Sequence, residues 1–216
     1  MNLSEKYRPL SFKEVIGQKT AIMQLEGFLK KEFPSTLFLF GNSGYGKTCL
    51  ARILAAKLAG IEYTGYSSID NCPDIQEVNM GDKRGVDDAR KFAESSLFKP
   101  VGGKNRVFLL DEIHAVTQTS ANALLKVMEN PPATTKFIGI TNNPQQLLYT
   151  LKRRGPNITL VTPEIEDIQK LILRVNKKEK ADIDKRVLAR VLKAADHSPS
   201  LALNILSSVI SIAASG

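Results

Sequence analysis

Residues Gly41-Asn42-Ser43-Gly44-Tyr45-Gly46-Lys47-Thr48 constrain this chain more than any other stretch. They follow an apolar run, Thr36-Leu37-Phe38-Leu39-Phe40, and lead into Cys49 to Leu58, a segment with helical spacing. The order is strand, glycine-rich turn, helix. Glycines let the backbone turn tightly with its N–H groups facing inward, toward an anion. The helix N-terminus adds partial positive charge at the same point. In such a loop the lysine, here Lys47, can reach the β- and γ-phosphates of a nucleoside triphosphate, and the Thr48 hydroxyl can bind Mg²⁺.

The remaining chain supplies a sheet for this unit. Gln18 to Lys31 reads as a helix with Ile22, Leu25, Phe28 and Leu29 on one face, after a mostly irregular arm over residues 1 to 18. Further strands are expected over Asp74–Asn79, Arg106–Leu110, Lys136–Thr141 and Asn157–Val161, with helices over Val86–Leu97 and Ser120–Glu129 between them. Pro131-Pro132 stops the latter helix. Strands that are nearly all apolar and alternate with helices imply a parallel sheet covered on both faces. From Pro163 onward only helical periodicity remains: Ile165, Ile168, Leu171, Ile172 and Val175, then Val187 to Leu192, then Leu201 to Ile210. The expected architecture is therefore α/β, a five-stranded parallel sheet flanked by helices over residues 1–162, followed by a small all-helical domain over 163–216.

The 216 residues carry a formal charge of +8, which suits a polyanionic partner but also suits simple solubility. The two cysteines lack CxxC partners, so neither a zinc site nor a disulfide framework is expected, and a reducing compartment fits. Cys49 is expected in the core beneath the P-loop, and Cys72 in a polar loop. No stretch has the length and apolarity of a membrane span, and the N-terminus has no signal-peptide core. A cytoplasmic protein is expected.

The strand Arg106–Leu110 ends in Asp111-Glu112. Carboxylates there lie at the C-terminal edge of the sheet, beside the P-loop, where open α/β folds bind ligands. Asp111 can support Mg²⁺ through its water shell, and Glu112 can polarise the water that attacks a γ-phosphate. The next strand runs into Thr141-Asn142-Asn143-Pro144, which is good turn chemistry; by spacing alone a turn is the simpler reading than a second polar group on that water.

Together these residues resemble an AAA+ ATPase of the sliding-clamp loader group, which includes replication factor C small subunits and the bacterial DNA polymerase III gamma/tau subunit. The resemblance begins at Lys6-Tyr7-Arg8-Pro9 and Glu14-Val15-Ile16-Gly17-Gln18, continues through the P-loop (Walker A) to Asp111-Glu112-Ile113-His114 (Walker B), then Asn122 to Pro132, and then Phe137 to Leu147. It implies ATP and Mg²⁺ as cofactors. It implies that Tyr7, Arg8, Pro9, Val15, Ile16 and Gly17 lie against the base. It also implies that Gly41 to Cys49 hold the phosphates, that Thr48 and Asp111 hold the metal, and that Asn142 is the sensor 1 residue. The segment Asn79 to Arg90 is similar to the stretch that opens a DNA-facing helix, which implies backbone contacts from Lys83, Arg84 and Gly85 to primer-template DNA. Implied partners are other clamp-loader or AAA+ subunits, a sliding clamp and that DNA. Leu97-Phe98, after Ser96, could enter an apolar groove on a clamp, although core packing is the simpler expectation.

The chain also departs from the family. Where the family has a Ser-Arg-Cys motif whose arginine reaches a neighbour's ATP, this chain reads Lys152-Arg153-Arg154, leaving Arg153 and Arg154 as alternative trans fingers. Where the lid usually carries a sensor 2 arginine, Ser200 stands. The zinc module of bacterial members is reduced to Cys72, and the C-terminal collar domain does not follow Gly216, as in either a truncated chain or a compact, phage-like relative. The reading is an ATPase subunit of a clamp loader, active when assembled. A nucleotide-binding scaffold with weak or no hydrolysis, and a related branch-migration or fork-maintenance ATPase, are the alternatives.

Overall fold

The computed structural model describes residues 2–81 and 92–213. Five strands form one sheet: β1 (Thr36–Phe40), β2 (Ile75–Asn79), β3 (Arg106–Asp111), β4 (Thr135–Thr141) and β5 (Asn157–Thr159), in the order β2-β3-β4-β1-β5. Every pairing is parallel. This is the P-loop AAA+ fold, with a helical C-terminal region.

Alternation along the strands splits the core into two layers, since successive side chains point to opposite faces. Leu37 and Leu39 of β1, Val107 and Leu109 of β3, and Ile138 and Ile140 of β4 pack with the P-loop helix Lys47–Ala59. Phe38 and Phe40, Phe108 and Leu110, and Phe137 pack on the other face with the helix Gln118–Glu129. There Phe108 stacks on Phe137 at 5.5 Å and meets Phe92 edge-on at 4.8 Å. Burial on both faces explains why the strands read as continuous apolar runs rather than alternating ones.

A third cluster is formed by the helices Ile165–Glu179, Lys185–Ala194 and Pro199–Ala213. Leu3 is buried inside it. The arm is thus less irregular than its sequence suggests: Leu3–Lys6 is a helical turn and Phe12–Glu14 a 3₁₀ turn. Lys6 Nζ lies 2.7 Å from Glu179 Oε1, and the Tyr7 hydroxyl donates to the same oxygen at 2.5 Å. The chain returns from the arm to the sheet at Gln18, whose buried amide donates to the Val161 carbonyl and accepts the Val161 N–H, at 2.8 and 3.1 Å. The arm therefore grips the helical region at one end and the exit of the sheet at the other.

Two sequence expectations change. Leu97 and Phe98 are 56% and 63% exposed, not core, because the buried Ser96 hydroxyl bonds back to the Ala93 carbonyl and the chain turns outward. Cys72 lies in the loop before β2, half-buried against the core layer that holds the P-loop helix. Ile165 and Leu201, members of the apolar stripes, are exposed. The expected DNA-facing residues Lys83, Arg84 and Gly85, and the first half of the helix expected over Val86–Leu97, lie outside the described residues.

The loop before β3 is held by one buried carboxylate. Asp74 accepts the N–H groups of Val101, Gly102 and Gly103 at 2.6, 2.9 and 2.5 Å. Burial raises its pKa, but those three hydrogen bonds outweigh it and hold the carboxyl below its ordinary value. A depressed folded-state value stabilises the fold above the unfolded-state value, and that contribution is lost as pH falls through the folded one. Asp74→Asn should therefore cost about 2 kcal/mol in urea unfolding at pH 7. The gap to wild type should narrow as pH drops below about 3.9. A gap that stays constant across that range would contradict the assignment.

Candidate nucleotide-binding site

The C-terminal ends of β1, β3 and β4 open into one cleft of about 440 Å³, within the range of small-molecule sites. The P-loop forms its floor. Gly46 sits at φ 95°, a left-handed conformation that glycine adopts without strain, and the helix starts at Lys47 immediately after it. Lys47 is buried, and its ammonium donates to the Asn42 carbonyl at 2.8 Å. Burial pushes its pKa below the ordinary lysine value, with the nearby Asp111 opposing. A desolvated cation wrapped by backbone amides suits a polyphosphate, which would restore its charge balance.

Asp111 and Glu112 occupy different settings although they are adjacent. Asp111 Oδ2 lies 3.3 Å from the Thr48 hydroxyl, and Oδ1 accepts the Glu112 N–H at 2.9 Å. Burial raises the Asp111 pKa, and Glu77 adds to this; the Glu112 N–H, Thr48 and Lys47 work against it. A hydroxyl and a carboxylate at this separation form a hard-oxygen pair that suits Mg²⁺, which keeps several of its own waters. Glu112 is exposed and held at φ 51°, uncommon for a non-glycine residue. Its carboxylate rests over Gly81, just past β2, so closely that a β-carbon at 81 would collide with it. The strain and the tight fit both lie where the chain departs from the sheet edge.

Asn142 lines the cleft at the end of β4, while Asn143 makes the turn by donating its N–H to the Thr141 hydroxyl at 2.9 Å. The Asn-Asn pair thus makes the expected turn and sets one amide residue at the cleft. Tyr7, Arg8, Pro9, Val15 and Ile16 form one wall, and Ser43 to Cys49 the floor. Cys49 faces this cleft rather than the core, which corrects the expectation for it. Gly17, Gly41 and Asn42 do not line the cleft: Gly17 packs on Pro163, Gly41 on Leu160, and Asn42 contributes through its carbonyl to Lys47. Arg153 and Arg154 also lie outside it.

A family model described as "DNA polymerase III, delta subunit" matches residues 17–164. The chain belongs to the DNA polymerase III clamp-loader group of AAA+ proteins. Among similar curated proteins of this group, DNA polymerase III subunit gamma/tau of Mycobacterium tuberculosis (strain ATCC 25618 / H37Rv) is 33% identical over 228 residues, covering 99% of this chain and 39% of that protein. DNA polymerase III subunit tau of Escherichia coli (strain K12) is 31% identical over 220 residues, covering 96% of this chain and 34% of its own length. The chain thus spans well under half the length of these relatives. The Thermotoga maritima RuvB Holliday junction branch migration motor has the same fold at a TM-score of 0.73, with 22% identity, covering 94% of this chain and 65% of that one.

Several cleft residues of this clamp-loader-group chain escaped the sequence reading. Asn79 lies beside Asp111 because β2 and β3 pair in that register. Knowing the register would have found it. Arg52 reaches the cleft from the P-loop helix but is committed to Glu77 through two bonds of 2.8 and 2.7 Å, with the Tyr66 ring 4.6 Å away. Leu171, Arg174, Pro199 and Leu203 close the cleft from the helical region, beside Ser200, which the sequence had already singled out. Their apolar members read equally well as helix core.

The half-buried charge at Asp111 costs stability when nothing compensates it. Asp111→Asn should make the nucleotide-free chain about 1 kcal/mol more stable in urea unfolding. It should also abolish any further stabilisation by Mg²⁺ added with ATP. Equal stabilisation of wild type and variant by the metal would rule out this carboxylate as a metal support.

Proposed function

We propose that this chain is an ATPase subunit of a DNA sliding-clamp loader, which couples ATP binding and hydrolysis to clamp opening and loading at primer-template DNA during replication in the cytoplasm. The observation that carries this reading is the convergence of P-loop, Asp111-Glu112, Asn142, arm and helical lid on a single cleft. Family membership supports it.

In this reading Ser43 to Cys49 wrap the phosphates, Gly41 and Asn42 shape the loop from outside the cleft, and Lys47 neutralises the β- and γ-phosphoryl oxygens. Thr48 and Asp111 would hold Mg²⁺, which when bound screens the phosphate charge and fixes the γ-phosphoryl group for in-line attack. Glu112 accepts the proton of the attacking water, and Asn142 orients that water. For this, the Glu112 carboxylate must swing away from its rest over Gly81. Tyr7, Arg8, Pro9, Val15 and Ile16 cover the base, with Gly17 fixing the turn behind them. The moving unit is the lid over residues 163–216, with the Leu3–Tyr7 arm fastened to it.

The trans finger is Arg153. Arg154 donates to Glu129 of its own chain at 2.6 Å, whereas Arg153 is exposed, has no carboxylate partner among the described residues, and lies 5.6 Å from the Tyr149 ring. A guanidinium held out on an aromatic face is ready for a neighbour's phosphate at little cost in ordering. Lys83, Arg84 and Gly85 meet the DNA backbone independently of sequence. The exposed Leu97-Phe98 pair enters an apolar groove on the clamp. The second reading, a nucleotide-binding scaffold without turnover, is favoured by one observation, the serine at 200 where a lid arginine is expected.

Mixing mutants separates these readings. Glu112→Gln and Arg153→Ala should each lower clamp- and DNA-stimulated ATP turnover by about 100-fold or more. Arg154→Ala should lower it much less. Equimolar Glu112→Gln and Arg153→Ala chains should regain part of the rate, because some interfaces then pair an intact Glu112 with an intact Arg153. Negligible turnover by wild type with clamp and DNA present would leave only the scaffold.

A further inference from the structure

The lid side of the cleft carries a cation that the sequence comparison with the clamp-loader pattern does not anticipate. Arg174 lies on the helix Ile165–Glu179, one turn after Leu171, so the two share a face, and both line the cleft. The apolar stripe of that helix, Ile168, Leu171, Ile172 and Val175, is buried in the lid core, and Arg174 stands at its edge. Arg174 therefore projects from a firmly packed helix, and it is exposed.

Among the described residues its charge has no hydrogen-bonded or ion-paired partner. Glu179 on the same helix is occupied by Lys6 and Tyr7. The other cations of the cleft differ. Arg52 is neutralised by Glu77, and Lys47 is buried beneath the P-loop. Only Arg8, on the arm, is comparably uncommitted among the described residues that line the cleft.

The position of Arg174 along the cleft is set by two contacts of the lid. Ser198 and Ser200 abut the P-loop at Gly44, where a β-carbon would meet them, so the start of the helix Pro199–Ala213 covers the P-loop directly. Arg174 instead lies toward Tyr7. Lys178, one turn further along the same helix face, lies 5.7 Å over the Tyr7 ring, so the face that carries Arg174 is directed at Tyr7. Tyr7 packs against the lid cluster that contains Leu171 and Leu203, whereas Thr48 and Asp111 meet each other at the sheet edge. A planar guanidinium over such a surface can stack on a purine and donate to ribose hydroxyls.

We propose that Arg174 anchors the lid to the base-and-ribose end of a bound adenine nucleotide, so that the lid of this chain senses nucleotide occupancy rather than the γ-phosphate. This deepens the proposed function and rests on its nucleotide site. A cation reading the γ-phosphate would separate ATP from ADP; one at the base and ribose meets the same groups in both.

The test is calorimetric titration of the full chain with ADP and with a non-hydrolysable ATP analogue. Arg174→Ala should weaken both by about the same factor, roughly tenfold, as expected for loss of a charge-assisted contact. Arg174→Lys, which keeps the charge but loses the planar fork, should recover less than half of that loss on a logarithmic scale. Loss confined to the ATP analogue, or unchanged affinity for both, would overturn the proposal. Absence of binding by wild type would instead overturn the nucleotide site itself, and Lys47→Ala serves as the non-binding reference for that outcome.

Discussion

The parallel registration of β1, β3 and β4 is the constraint on which the site depends. Phe40 pairs with Thr141, and Leu110 with Gly139, so three strands finish close together and on the same edge. In a parallel sheet the chain must leave each of those ends through a crossover, and polar side chains can stand there without disturbing the apolar layers below. The P-loop, Asp111-Glu112 and Asn142 all follow from that single alignment. One residue of slippage would send Phe38 and Phe108 into the layer that holds the P-loop helix, and the acidic pair would no longer meet Thr48.

Charge burial is the second determinant. Lys47 and Asp111 are both desolvated and both shifted toward neutrality, although each partly compensates the other. Their environment is more costly to the free protein than a hydrophobic one would be, and it is relieved by an anion and a metal together. Glu112 has been kept outside this environment, exposed and in a strained backbone conformation. Adjacent carboxylates with different surroundings can take different roles, one holding charge and the other moving a proton.

The sheet and its loops were legible in the sequence because their information is local. A strand buried on both faces must be apolar throughout, and a phosphate loop needs its glycines at fixed spacing. The strand ends moved by only one or two residues. The helical region was legible as helices, yet its relation to the cleft was not. Leu3 in the lid core and Lys6 beside Glu179 join residues more than 170 positions apart, with nothing in either segment to announce the other. Arg174 reads as an ordinary solvated position on an amphipathic helix until the arm and P-loop are placed opposite it. Leu97 and Phe98 were misplaced for the converse reason, since apolar residues ending a helix are more often buried than displayed.

The central claim is that this chain holds one half of a catalytic site and a neighbouring subunit supplies the other. Initial ATP turnover per chain, measured at saturating ATP with clamp and primer-template DNA while chain concentration is raised across the assembly range, tests it most directly. The account predicts turnover that climbs with concentration to a plateau, while ATP affinity stays constant. Turnover per chain that is already maximal in the dilute, unassembled state would contradict it.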